Sequence, residues 1–473
     1  MLVPAILQLV LGGGPPAGKP YLNNPCIEAG SKFAAMPFCN YALGINVRAA
    51  DAVARLSLEE KIGNLGTDAV AIPSLGLNAY NWWSEATHGI SHVRDGPKSS
   101  TPTETNFALP ITTAGSFNRT LWKATGKQLG VEARAFMNAG NAYSTYWAPV
   151  INLVRDPRWG RNVETPGEDP YLTGQYAINF VRGFQNNPAD PTHLQASACC
   201  KHFVANSMEG TDDGEGNIHN RHEFDAKVTQ QDLVDSYMAP FQDCVEQGEV
   251  TSLMCSYNSV NGIPACANEW LLKTVARGEW GFDGYITSDC DADANVYTTH
   301  NYTKTQAEAV RDIFRAGTDV DCGGFIQRNA QKALDNKTIT IDDIDTRLKF
   351  LFAMRLRLGH FDPGACIQKN IINSLSLSLS FNCFLSRLRN KHASRFRFSL
   401  LLKFNSCRWT AAKDPEVGDL QRLRAEPCPP RNHPGLRAAE ELRRDAAVAQ
   451  VRAPRCHRAE QQPLPRDGDL LRR

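Results

Sequence analysis

An aspartate, Asp289, follows directly on an apolar run that reads Gly-Phe-Asp-Gly-Tyr-Ile-Thr-Ser-Asp-Cys-Asp from residue 281 to 291. Taken alone, such a residue is more often a helix cap or an ion-pair partner than a reactive group. Its company changes that reading. The run 155–169 holds Arg155, Arg158, Arg161, Glu164, Glu168 and Asp169, and Cys199-Cys200-Lys201-His202-Phe203 adds an ammonium and an imidazole. An aspartate flanked by cations stays ionised near neutral pH, and Arg161 and Lys201 are candidates for such cations. A planar guanidinium with ring and ammonium donors also fixes vicinal hydroxyls through charge-assisted hydrogen bonds. The plainer alternative for Arg161, Lys201 and His202 is a rim of ion pairs that only stabilises the fold.

These groups are far apart in sequence, so regular structure must bring them together. Apolar runs of strand length recur at 145–153, 196–204, 251–257, 285–287 and 316–320, and amphipathic stretches of helical spacing lie at 121–137, 171–185, 230–247 and 305–316. This alternation predicts βα units around a parallel sheet. Each apolar run ends in polar residues: 152–161, Lys201-His202, Ser256-Tyr257-Asn258, Ser288-Asp289 and 319–321. Polar clusters at the C-terminal ends of many strands are the arrangement of a (β/α)8 barrel. The expected fold class is therefore α/β, a TIM-like barrel. Upstream, Val47, Ala50, Val53, Ala54, Leu58, Ile62 and Leu65 share one face of a helix predicted over 46–64, with Asn46 as its cap.

The 473 residues carry a formal net charge of +1, which gives no bias toward nucleic acid or membrane partners. That average hides two segments. Residues 1–366 carry 30 basic against 40 acidic side chains, and 367–473 carry 21 against 10, with 17 of those 21 being arginine. The segment 364–473 has no regular hydrophobic period, contains a Ser-Leu repeat, and is rich in Arg and Pro; it is expected to be disordered or the product of out-of-frame translation. Residues 1–18 form a short apolar leader of acceptable length for a signal but without a basic start, and 19–45 an irregular N-terminal arm. Fourteen cysteines without a zinc-type spacing favour disulfides and buried thiols over a metal site. With the acceptor triplets at Asn118, Asn301 and Asn336, they are compatible with a secreted protein.

Five motifs, in order, carry a resemblance. Trp82-Trp83-Ser84-Glu85 with His88-Gly89, the run 155–169, Lys201-His202, Met254-Cys255-Ser256-Tyr257-Asn258 and Thr287-Ser288-Asp289-Cys290-Asp291 together resemble glycoside hydrolase family 3, closest to its plant and fungal β-xylosidase branch. Each motif is weak alone; the ordered set is specific and places the barrel domain at 46–363. The resemblance implies an exo-acting, retaining β-glycosidase that removes terminal β-D-xylosyl residues from xylo-oligosaccharides, with Asp289 as nucleophile. Such chemistry sets a second acid about 5–5.5 Å across the bond and needs no metal or organic cofactor.

It further implies that Arg161, Lys201 and His202 clamp the sugar hydroxyls, that Glu85 accepts from the non-reducing-end hydroxyl, and that Trp83 walls the pocket. Tyr257 would donate to the nucleophile and Met254 would line the apolar side of the sugar, although a core role for Met254 is equally compatible. Cys290 and Cys322 resemble a disulfide that fills the space of a hexose's exocyclic carbon; two buried thiols are the alternative.

The family's branch takes its general acid from an α/β sandwich domain after the barrel, and nothing in 364–473 matches it. Loss of that acid would cost about 10²- to 10⁴-fold, leaving an impaired enzyme or an inactive barrel that only binds sugar. In the polar segment 209–220, His219, or His222 just beyond it, would be the only substitutes, and a solvated loop is the simpler expectation.

Overall fold

The computed structural model describes residues 23–91, 104–138, 142–212 and 218–363. All of them fall in the compact unit that ends before His392. The expectations for residues 1–18 and 364–473 lie outside the described residues.

The unit is α/β with a parallel sheet at its centre. The strands Cys199–Phe203, Ser252–Cys255 and Tyr285–Ser288 pair in parallel, with Ser252–Cys255 in the middle. All three are fully buried, which explains why they read as continuous apolar runs and not as alternating ones. Parallel bridges extend the pairing outward, Thr145 and Val150 to Ser197 and Lys201 on one side, and Thr287 to Val320 on the other. Backbone hydrogen bonds then link Asp321 with Leu65 and Thr67, Thr67 with Trp82, and Ser84 with Trp147.

One strand departs from the expected all-parallel pattern. Tyr80–Asn81 runs antiparallel to Asp68–Ala69. The connection between them holds only the short turn Pro73–Leu75, and a parallel return needs a crossover of about a dozen residues or more. Gly76 ends that turn at φ +69°, where a Cβ would collide with the Phe33 ring.

The helix predicted over 46–64 is two helices, Ile45–Ala54 and Leu58–Gly63. Ser57 breaks the run because its hydroxyl accepts from Glu60 N while Glu60 reaches back to Ser57 N, a capping box that starts a new helix. Gly44 precedes the first helix, so Asn46 is not its cap. Helices Arg119–Asn138 and Pro170–Gln185 fit their amphipathic stretches. They touch backbone to backbone: a Cβ at Gly126 or Gly130 would strike the Phe180 or Phe184 carbonyl. Helices Phe325–Asp335 and Ile341–Arg357 were not anticipated. Within the polar segment 209–220, Gly210–Asp212 pairs antiparallel with Ile218–Asn220.

One apolar cluster joins Phe180, Phe184, Phe203, Phe241 and Leu253, and a second joins Val53, Leu65, Trp82, Trp147, Val310 and Leu348. Four disulfides tie the described cysteines, Cys26–Cys39, Cys200–Cys244, Cys255–Cys266 and Cys290–Cys322, leaving Cys199 as a buried thiol whose pKa burial pushes up to about 12.

Candidate active site

Asp289 sits one residue past the Tyr285–Ser288 strand, and its backbone N donates to Cys255 O at 3.1 Å. Its side chain is 12% exposed. Oδ1 accepts from Cys290 N at 2.8 Å. Oδ2 has no hydrogen-bond partner among the described residues and lies 3.5 Å from His202 Nε2. Burial raises the Asp289 pKa above its ordinary value, and Lys201, the Cys290 N–H, Arg161 and Arg221 offset this only in part. Desolvation is thus a larger influence on this carboxyl than any one of the cations beside it.

Lys201 and His202 are consecutive yet both approach the site, because the register of Cys199–Phe203 shifts between Lys201 and Phe203 and breaks the strict alternation of faces. Lys201 Nζ, nearly buried, donates to both oxygens of Glu85 at 2.9 and 2.7 Å. Glu85 Oε1 also accepts from Trp83 Nε1 at 3.1 Å, and the Trp83 ring stacks on Trp147.

His202 is held by Asn152. Asn152 Nδ2 donates to His202 O, while its Oδ1 accepts from His202 N at 2.8 Å and lies 3.2 Å from Nδ1. Burial, then Arg161, Lys201 and Arg221, hold the imidazole pKa well below its usual value. The ring is therefore neutral, with its proton on Nδ1 and Nε2 accepting from Arg161 Nη1 at 3.1 Å. In this state the Nε2 lone pair is taken up by Arg161.

Arg161 also binds Glu164 in a fork, Nε to Oε1 at 2.8 Å and Nη2 to Oε2 at 2.7 Å. Burial pulls its pKa down, but the carboxylates of Glu164, Asp289 and Glu209 together raise it. Glu164 thus orients Arg161, whereas Glu168 stays exposed. Tyr257 is 5% exposed, and burial together with the Asp289 carboxylate pushes its pKa up. Met254 is buried, paired in register with Lys201 and Thr287, and belongs to the apolar cluster of Trp82 and Trp147.

The sequence did not reveal Arg221. Its guanidinium stands 4.7 Å over the Tyr257 ring and pairs with Glu209 Oε2 at 3.2 Å. It follows a polar segment, with no apolar run to mark it. His222 packs edge-on against Tyr257, ring centroids 4.3 Å apart, and its Nδ1 faces Asn295 Nδ2 at 3.1 Å. Burial lowers its pKa, so it is a poor proton donor near neutral pH; the side chain of His219 is not described.

A second buried acidic group, Asp293, lies in the helix Ala292–Thr298 that follows Asp289. Asp293 is fully buried, and neither of its oxygens has a hydrogen-bond partner among the described residues. Burial and then Asp321 raise its pKa well above the usual value, and burial raises that of Asp321 to about 6. Asp293 lies near Cys255 and Cys266, with candidate ligand atoms within 4.8 Å of one another, but those sulfurs are joined and offer no thiolate to a metal. A carboxyl with a raised folded pKa stabilises the fold below its unfolded pKa, near 3.8, and that contribution is lost as pH rises through the folded value. Asp293→Val is expected to stabilise the protein at pH 7 by about 1–3 kcal/mol and to flatten the decline in stability between pH 4 and pH 7, as read by urea denaturation. An unchanged slope would refute this origin of the decline.

Residues 90–352 match the Glycosyl hydrolase family 3 N terminal domain. The chain is 45% identical to Beta-D-xylosidase 1 of Arabidopsis thaliana over 339 residues, 71% of this chain and 43% of that protein. It is 46% identical to Beta-xylosidase/alpha-L-arabinofuranosidase 1 of Medicago sativa subsp. varia over 328 residues, 69% of this chain and 42% of that protein. A solved family 3 exo-β-xylosidase, in complex with a xylobiose aziridine activity-based probe, superposes with a TM-score of 0.66 at 32% identity, covering 77% of this chain and 47% of that one. The chain belongs to glycoside hydrolase family 3, and it spans less than half the length of these relatives.

Proposed function

We propose that the chain carries the glycone-binding and nucleophile-bearing part of an exo-acting, retaining β-xylosidase. The observation that carries this reading is the gathering around Asp289 of His202, 3.5 Å from Oδ2, and of Lys201, Arg161 and Tyr257 as its electrostatic neighbours, with Lys201 tethering Glu85. Asp289 Oδ2 attacks the anomeric carbon as the bond to the leaving oxygen breaks, giving a glycosyl-enzyme that water then hydrolyses. Lys201 and Glu85 hold hydroxyls at the non-reducing end, which admits a terminal sugar and stops a longer chain. We assign the leaving-group acid to no described residue.

We further infer that the strands close into a (β/α)8-type barrel with the second strand reversed. The support is the succession of backbone hydrogen bonds that leads from 65–67 through 82–84, 145–151, 199–203, 252–255, 285–288 and 320–321 back to Leu65. Exposed Asn118, Asn301 and Asn336 and four disulfides support an exported glycoprotein.

Pentose selection is assigned to the Cys290–Cys322 disulfide, whose Cys290 N–H touches the nucleophile. The test is initial rates on matched aryl β-D-xyloside and β-D-glucoside. The parent is expected to prefer the xyloside, and Cys290→Ser with Cys322→Ser to narrow that preference by about tenfold or more, the scale set by one excluded carbon in a pocket. A parent that prefers the glucoside would remove the xylosidase reading; an unchanged ratio in the variant would remove the disulfide from it.

A further inference from the structure

A second concave site lies at the opposite end of the strands from Asp289. A cavity of about 600 Å³ is lined by residues that precede strands, among them Asn187 and Leu194 ahead of Cys199–Phe203, and Gly248 and Glu249 ahead of Ser252–Cys255. Lys201, His202 and Asp289 occupy the other ends of these strands.

The lining is rich in donors. Lys123, Arg182 and Arg357 bring three cations, against the single carboxylate of Glu249. Lys123 and Arg182 protrude side by side because Gly183 sits directly against the Lys123 carbonyl where the two helices touch. Neither has an ion-pair partner among the described residues, while Arg357 meets the exposed Asp283 at 3.0 Å. Asn187 is 5% exposed, yet its Nδ2 is buried with no acceptor among the described residues. A buried amide donor without an acceptor is costly, and here it lines the same cavity as the unpaired cations. His193, also in the wall, is clamped between Asp190 and Asp362 at 2.6 and 2.8 Å. The hydrogen bond to Asp362 leads in raising its pKa, and its two carboxylate partners leave no net positive charge at this part of the wall.

We propose that this groove is a binding site for an anionic saccharide, with Lys123 and Arg182 engaging a uronate carboxylate and the exposed Asn186 and Thr192 its hydroxyls. The volume exceeds what a single inorganic anion fills, and the mixture of cations with Asn186, Asn187 and Thr192 suits a ligand that carries both carboxylate and hydroxyl groups. The site is separate from Asp289, so its occupation does not require turnover.

The test is calorimetric titration of the full chain with digalacturonate, its dimethyl ester and inorganic phosphate, at low and at raised salt. Digalacturonate is expected to bind more tightly than phosphate, the ester to bind at least tenfold more weakly, and salt to weaken the two charged ligands but not the ester. Lys123→Gln with Arg182→Gln is expected to weaken digalacturonate binding by about tenfold or more, with aryl xyloside hydrolysis unchanged. The two single variants, at exposed positions, should each give a smaller loss in the same direction. Equal binding of the ester, phosphate binding as tightly as digalacturonate, unaltered affinity in the variants, or no binding to the parent would each overturn the assignment.

Discussion

Asp289→Ala is expected to lower kcat/KM for an activated aryl β-D-xyloside by about 10⁴-fold or more, the scale of removing a covalent nucleophile. The loss is large because no neighbour is placed to replace it. His202 Nε2 already accepts from Arg161, and Glu164 and Glu85 are tied to Arg161 and Lys201. Azide admitted to the space left by the carboxylate is expected to restore turnover and to yield the α-configured glycosyl azide, visible by NMR. The parent's pH profile should carry the same signature. Burial raises the Asp289 pKa, so the acid limb of kcat/KM is expected above the ordinary carboxylate value of 3.8. Arg161→Lys, which keeps charge but loses the fork to Glu164, should leave that limb near its place while lowering the rate. An Asp289→Ala protein that is folded and retains most of its activity would show that another carboxylate does the chemistry.

The second large effect is on stability. Asp319→Ala is expected to destabilise the protein by about 3–5 kcal/mol, because removing one partner strands the others as buried charges. Asp319 has a fully buried side chain that binds Arg277 at 2.6 Å, Arg347 at 3.0 Å and the backbone N–H of Ile286 at 2.8 Å. Burial raises its pKa even with two guanidinium groups beside it, so the intact cluster is a weak net contributor and the broken one a strong liability. The Ile286 contact pins the strand that ends at Asp289. Urea denaturation should show a lower midpoint, while protein kept folded in the cold should retain its turnover. A midpoint within error of the parent would contradict the cluster's role.

Much of the central sheet was legible from local pattern. The runs at 196–204, 251–257 and 285–287 coincide with paired strands because strands buried on both faces cannot hide their apolar continuity. Helices Arg119–Asn138, Pro170–Gln185 and Gln306–Ala316 followed from amphipathic spacing in the same way. What escaped depended on short-range chemistry or distant partners. The Ser57 capping box divides a face that periodicity reads as continuous, and the reversed strand at Tyr80–Asn81 follows from connection length more than from its own residues.

In the site, Lys201, His202 and Arg161 were found by type and by position after apolar runs. Arg221 and the orienting Asn152 were not, because their meaning comes from Tyr257 and His202, which only the fold brings near. The pairings Cys26–Cys39, Cys200–Cys244 and Cys255–Cys266 were equally out of reach, since spacing alone does not fix connectivity.

The central claim is that Asp289 forms the covalent bond to the sugar. Incubation of the chain with a xylose-configured aziridine, followed by peptide mapping by mass spectrometry, tests it directly. One adduct is expected, on Asp289 within the peptide that spans Ser288 to Cys290, prevented by excess xylose and absent from Asp289→Ala. An adduct on Glu85, Glu164 or another carboxylate, or labelling that persists in Asp289→Ala, would contradict it.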